Sequence, residues 1–194
     1  IEAVEVMLGA ASLGAVFSSA SPDFGANGVI DRFGQIEPKV LVAVDGYRYN
    51  GKDFDCLERL TQIRTGLPTL VATILVSNVS VGEHSRDGLP DYESFVSSGM
   101  ASPVAPRRFG FDHPWYVLYS SGTTGVPKCI VHRTGGVLIQ HMKEHQLHCD
   151  LGQDDRVMYF TTTGWMMWNW LVSVLASGSS AVLFDGAPTM PNTE

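Results

Sequence analysis

Ten consecutive residues, Tyr119 to Lys128, hold the densest chemistry in the sequence: Y-S-S-G-T-T-G-V-P-K. Four hydroxyls, those of Ser120, Ser121, Thr123 and Thr124, fall within five positions. Gly122 and Gly125 lack a Cβ, so the backbone can take positive φ there and turn its N–H groups toward one point. Amides that converge in this way form a nest for an anion. Pro127 fixes φ at the loop's exit. Lys128 adds a compact positive charge suited to phosphate oxygens. The ligand these types call for is a polyphosphate. The loop is not a Walker A motif, because there the lysine follows glycine, and Lys128 follows Pro127.

Three further groups could do chemistry, each with a plainer reading beside it. Gly164 to Trp170, G-W-M-M-W-N-W, puts three tryptophans in six residues at a helix start. Aromatic walls around a few polar groups suit a small-molecule pocket, while a Met/Trp stripe at helical spacing is also ordinary core. Arg48 to Lys52, R-Y-N-G-K, offers two cations after a strand end; its plain reading is a solvated basic turn. His141-Met142-Lys143-Glu144-His145 matches H-x-x-E-H, a zinc-hydrolase pattern. A zinc site needs a third protein ligand, and a solvated amphipathic helix explains the same spacing. Cys129, beside Lys128, reads as a reactive thiol or as a buried structural one, and His132 as a neighbour of the loop or an edge histidine.

These groups need elements to hold them. Glu2 to Gly14 has helical apolar spacing, and Ala15 to Ser18 is a short strand. Asn27 to Ile36 is a helix, and Lys39 to Val44 an apolar run ending at Asp45-Gly46, the pattern of a buried strand and its turn. Phe54 to Arg64 returns to helical period and Thr69 to Val76 is a second buried strand. This βαβ rhythm predicts an α/β class, with mostly parallel sheets and helices on both faces. Residues 77–112, rich in Gly, Ser, Pro and Asp, break the rhythm as a long connection at a sub-domain boundary, with one short helix at Tyr92 to Ser98. Trp115 to Tyr119 is the strand that delivers the hydroxyl-rich loop to its carboxyl end, where open α/β sheets bind ligands. Cys129 to His132, Arg156 to Phe160 and Ala181 to Phe184 are strands; Gly135 to Cys149 and Trp165 to Ala176 are helices.

Bulk properties bound the rest. Hydrophobic residues make up 44% of the 194 and charged residues 17%, which suits a packed domain. The formal charge of −7 offers no electrostatic footprint for nucleic acid or an anionic membrane. Any anion must therefore be met by a local concentration of donors. Cys56, Cys129 and Cys149 are odd in number and irregular in spacing, which predicts reduced thiols and a cytoplasmic protein. No apolar run is long enough to span a bilayer. The chain opens at Ile1 directly into a helical pattern and runs out over Pro188 to Glu194, so residues 1–194 are expected to be an internal piece of a longer protein.

The string Tyr119 to Lys128 resembles the phosphate loop of the adenylate-forming superfamily, which includes acyl-CoA synthetases, luciferases and peptide-synthetase adenylation domains. Ala3 to Asp45, with S-P-D-F-G and I-E-P-K-V-L-V-A-V-D, is similar to the acetyl-CoA synthetase-like members. F-D-H-P-W-Y-V-L-Y-S-S-G-T-T-G-V-P-K-C-I-V-H, K-E-H-Q-L-H-C-D-L and T-T-T-G-W-M-M-W-N-W-L-V-S resemble the branch that activates acetoacetate. The resemblance implies part of the large N-terminal, AMP-binding domain of such an enzyme, with ATP, acetoacetate and coenzyme A as small-molecule substrates and Mg²⁺ as cofactor. It implies that Ser120, Ser121, Gly122, Thr123, Thr124 and Gly125 hold the β- and γ-phosphates, and that Lys128 neutralises them in catalysis. It assigns Trp165, Met167, Trp168 and Asn169 to the acyl pocket, and Lys52 and Arg48 to the 3′-phosphate of coenzyme A. Acetate enzymes carry G-W-x-T-G-H at the pocket, and Met167, Trp168 and Asn169 depart from that pattern. The departure argues against acetate. The alternatives are a ligase for another short acyl chain, acetyl- or propionyl-like, and, from another class, a zinc hydrolase. In this family the acidic residue for Mg²⁺, an Asp for the ribose, and a mobile C-terminal domain lie downstream, so the chain alone is expected to be inactive.

Overall fold

A computed structural model describes residues 1–79, 88–99, 105, 107–120 and 125–189. In chain order its elements are α1 (Glu2–Leu13), α2 (Ala26–Phe33), β1 (Val40–Val44), β2 (Gly46–Tyr49), β3 (Lys52–Asp55), α3 (Leu57–Gly66), β4 (Ala72–Val76), α4 (Tyr92–Gly99), β5 (Pro114–Ser120), β6 (Lys128–Arg133), α5 (Thr134–Lys143), β7 (Arg156–Met158), α6 (Met166–Val172) and β8 (Ser180–Val182). A π-helical turn, Glu144–His148, continues α5, and a 3₁₀ turn, Ser173–Ser177, continues α6. The α/β class matches the sequence reading. Two strand pairs are parallel, β1 with β4 and β7 with β8; two are antiparallel, β2 with β3 and β5 with β6. The antiparallel pairs have a simple cause. Their connections are short, and a parallel pair needs a crossover of a dozen residues or more.

The chain divides into two compact units. One comprises Ile1–Ser21, Ala105–Thr123 and Lys128–Phe184, and the other Pro22–Val104, Thr124–Pro127 and Asp185–Glu194. In the first unit, α1 stops at Gly14, whose φ of 74° lets its N–H reach the Ala10 and Ala11 carbonyls. The expected strand after it reduces to one parallel bridge. The Phe17 amide donates to the Trp115 carbonyl at 2.9 Å, and the Val117 amide donates to the Phe17 carbonyl at 2.9 Å. The core of this unit is Met7, Phe17, Tyr116, Leu118, Trp168 and Val172. Tyr116, Val117 and Leu118 are buried in succession, so the middle of β5 is covered on both faces.

In the second unit, α3 carries the chain between β1 and β4, which pair from Val40 with Ala72 to Val44 with Val76. Asp45, at 2% exposure, closes the sheet end. Its carboxylate accepts from the amides of Asn78 at 2.8 Å and Val79 at 3.1 Å. The hairpin β2–β3 was not anticipated, although its signal was present. Asn50-Gly51 sits between two short runs, with φ of 51° and 73°, the paired positive values of a tight hairpin turn.

Candidate functional site

The loop of interest is framed by β5 and β6. In their antiparallel register Tyr119 faces Cys129 and Ser120 faces Lys128. Opposed residues of such a ladder put their side chains on the same face. The Ser120 hydroxyl and the Lys128 ammonium thus share one face at the mouth of the loop. Ser121, Gly122, Thr123 and Thr124 lie outside the described residues. Gly125 has φ of 104°, and nothing lies within 4 Å of where its Cβ would stand. Backbone conformation rather than crowding demands glycine there. Lys128 is exposed. The strand behind is anchored: Ser18 Oγ lies 2.9 Å from the Val117 carbonyl and 3.1 Å from the Tyr119 hydroxyl. His132, opposite Tyr116 with ring centroids 5.0 Å apart, is half-buried, and burial lowers its pKa. It is an edge histidine packed on the core. Cys129 is a half-buried thiol.

The Trp-rich segment begins as a turn. The Trp165 amide donates to the Thr162 carbonyl at 3.1 Å, and the Trp168 amide to the Trp165 carbonyl at 3.0 Å. Ser19 Oγ donates to the Thr163 carbonyl at 2.6 Å, and Thr163 Oγ1 to the Ala20 carbonyl at 3.1 Å. These bonds pin the turn to the stretch that follows Phe17. Trp165 is 61% exposed and Met167 half-buried. Trp168 is buried and stacks on Phe17 with centroids 6.0 Å apart, so it anchors α6 in the core. Asn169 is 1% exposed, and neither its Oδ1 nor its Nδ2 has a hydrogen-bond partner. Thr162 Oγ1 is likewise buried without a partner. The sequence reading missed Thr162; the T-T-T run just before Gly164-Trp165 was its only signal.

Arg48 and Lys52 stand on the β2–β3 hairpin. Arg48 is committed elsewhere. Its Nε donates to Asp53 Oδ1 at 2.5 Å and its Nη2 to Oδ2 at 2.8 Å, a two-pronged pair that raises the Arg48 pKa and lowers that of Asp53. Lys52 faces Tyr49 across the turn and is exposed.

The H-x-x-E-H residues resolve into a buried hydrogen-bond knot. His141 Nδ1 is 2.9 Å and His145 Nε2 2.8 Å from Ser173 Oγ, and that hydroxyl donates to the Trp170 carbonyl at 2.7 Å. A hydroxyl has one proton. With it spent on Trp170, both imidazoles donate to the oxygen, and burial is what favours their neutral forms. His145 Nδ1 is then a bare acceptor, in line with its lack of a partner. Burial, reinforced by His145, pushes His141 down to about 4, and burial also lowers His145. Glu144 accepts from Gln140 Nε2 at 2.6 Å and from Trp170 Nε1 at 3.0 Å. His148 is exposed and stands apart from the pair. Among the described residues, no group of three or more His, Cys, Asp or Glu side chains could hold a metal ion. The zinc-hydrolase alternative therefore lacks its ligand set here.

The mixed α/β framework carries, between β5 and β6, a sequence rich in hydroxyls and glycines that ends at Lys128. The profile of the AMP-binding enzyme family matches residues 1–194, and the chain belongs to that family. It is 50% identical over 199 residues to the acetoacetyl-CoA synthetase of Gallus gallus, covering 99% of this chain and 30% of that protein. It is 42% identical over 194 residues to a malonamoyl-CoA synthetase of Penicillium aethiopicum, covering 96% of this chain and 27% of that protein. The solved acetoacetyl-CoA synthetase from Streptomyces lividans superposes with a TM-score of 0.90 at 48% identity, over 98% of this chain and 29% of that one. The chain thus spans about 30% of the length of the relatives it matches. No helix among the described residues is long and apolar enough to cross a membrane.

Proposed function

We propose that this chain is part of an acid–thiol ligase that joins acetoacetate to coenzyme A at the expense of ATP. The observation that carries the reading is the β5–β6 register, which sets Lys128 opposite Ser120 at the mouth of a loop of hydroxyls and glycines. In the first half-reaction a carboxylate oxygen of acetoacetate attacks the α-phosphorus of ATP. The bond to the β-phosphate oxygen breaks, giving acetoacetyl-AMP and pyrophosphate. The carboxylate is already ionised at neutral pH, so this step needs no general base. Its barrier is repulsion between anions and the charge gathering on the leaving pyrophosphate, so positioned donors and cations do the catalysis. Ser120, Ser121, Gly122, Thr123, Thr124 and Gly125 hold the β- and γ-phosphates, and Lys128 offsets their charge. In the second half-reaction the thiol sulfur of coenzyme A attacks the acyl carbon. AMP leaves with the electron pair of the C–O bond, and the thiol proton is released.

Trp165, Met167 and Asn169 form the acyl pocket, and Trp168, stacked on Phe17, anchors α6 behind them. Lys52 is the stronger candidate for the 3′-phosphate of coenzyme A, because the guanidinium of Arg48 is already paired. Among the described residues, no group of three or more His, Cys, Asp or Glu side chains is placed to cage a Mg²⁺ ion. That ion is expected to travel with the phosphates of ATP, and no step here is routed through it. Thiols at all three cysteines support a cytoplasmic setting. Acetoacetyl and malonamoyl, the acyl groups in the relatives' names, are both three-atom chains from the carboxyl carbon to a second carbonyl. The test is a substrate panel on the complete enzyme carrying this chain, with acetate, propionate, butanoate and acetoacetate, read as thioester formed with coenzyme A. Acetoacetate is expected to give the highest kcat/KM; a preference for acetate overturns the pocket reading.

A further inference from the structure

Asn169 has two buried polar atoms with nothing to bond, at 1% exposure of the residue. An unpaired buried amide costs free energy that a leucine of similar volume would not. The position is informative. Asn169 lies near the start of α6, four residues after Trp165, the extended residue that precedes the helix. Thr162 Oγ1, the other buried orphan of this stretch, lies just before the Gly164-Trp165 turn. Two unsatisfied polar groups therefore bracket the segment that carries the acyl pocket.

Acetoacetate presents a specific need. Its carboxylate reacts, but its 3-oxo group must also leave water and enter a site walled by Trp and Met. A carbonyl oxygen buried there needs a donor. Met167 has none to give, while the Asn169 amide has two N–H protons and none of them is engaged. We propose that Asn169 is the residue that reads the 3-oxo group: its Nδ2–H donates to the C3 carbonyl, and its Oδ1 stands ready for an N–H or O–H at the same end. The substrate class is then short 3-oxo carboxylates with a small terminal group, a methyl or an amino group. This assignment rests on the acetoacetate reading above.

The experiment compares acetoacetate with butanoate, which has the same chain length but a methylene in place of the carbonyl. ATP–pyrophosphate exchange on the complete enzyme gives kcat/KM for both. Wild type is expected to favour acetoacetate at least about 100-fold, since a site built around a hydrogen bond rejects the analogue lacking it. Asn169→Leu is expected to cut that ratio at least about tenfold by losing acetoacetate alone, with butanoate unchanged or improved. The melting temperature should hold or rise, because no protein–protein bond is lost. Asn169→Asp keeps the shape, removes the donor and should lose acetoacetate in the same way. A folded variant that keeps the wild-type ratio, or loses both substrates equally, overturns the assignment alone. A wild type that handles both acids alike overturns the acetoacetate reading and the assignment with it.

Discussion

Lys128 faces Ser120 from the first position of β6, exposed and set on the rim rather than in the core. Its removal should cost nucleotide use and not folding. In the complete enzyme, Lys128→Ala is expected to lower kcat/KM for ATP by about 10- to 100-fold, the scale of one charge-assisted contact to a transition state. A thermal melt should be unchanged, and steady-state kinetics at varied ATP would check the loss; unaltered ATP dependence would remove Lys128 from the site. As a candidate, Lys128 is legible in the sequence because its signal lies in local types: hydroxyls, glycines and a proline–lysine exit. Asn169 was legible only as a departure from the acetate pattern. Its solitude is a property of three-dimensional surroundings, and no spacing rule reports which side chains lack partners. Trp168 shows the same limit from the other side. Periodicity could not separate pocket from core, and the stack on Phe17 places its ring in the core.

At the scale of elements, α5 and its π turn make the clearest case. The helix was evident from its period, but its function was not. The pattern H-x-x-E-H fixed His141 and His145 on one face, whereas Ser173, which gathers them, lies 32 and 28 residues further along. A pairing at that range is invisible to local pattern. The knot makes stability depend on pH with a definite sign. Both imidazoles are neutral and buried, facing each other, Ser173 and Trp170, with Glu144 and His132 as the nearby titratable groups. Their folded pKa values lie below the unfolded value near 6.5. The unfolded chain therefore takes up protons first as pH falls. Stability is full above about pH 6.5 and drains away toward pH 4. Urea denaturation of the complete enzyme at pH 7.5 and pH 5 should show a lower midpoint in acid. Ser173→Ala should cost about 1–3 kcal/mol at pH 7.5 by leaving two buried N–H groups unpaired. An unchanged midpoint in both comparisons would contradict the neutral, serine-centred knot. The hairpins tell a related story about legibility. The strands of β5 and β6 were visible as apolar runs, but their antiparallel pairing follows from the length of the connection. The β2–β3 hairpin was announced by Asn50-Gly51 and still went unread, because the flanking runs are short and only weakly alternating.

At the scale of the whole molecule, the proposed reaction would bring a nucleotide, a carboxylate and coenzyme A, all of them anions, to an acidic chain of net charge −7. In the proposed site they would be met by a local concentration of donors: a hydroxyl- and glycine-rich loop ending at Lys128, and the buried, unpartnered amide of Asn169. The chain spans about 30% of the length of the relatives it matches. The measurement that bears most directly on the central claim is ATP–pyrophosphate exchange by the complete enzyme, with acetoacetate present or omitted and coenzyme A left out. Formation of an acyl-adenylate makes the first half-reaction reversible on its own. Exchange is predicted to depend on acetoacetate and to proceed without coenzyme A, and residues 1–194 alone are predicted to support none. Thioester formation without any acetoacetate-dependent exchange, or exchange that acetate supports better than acetoacetate, would contradict the account.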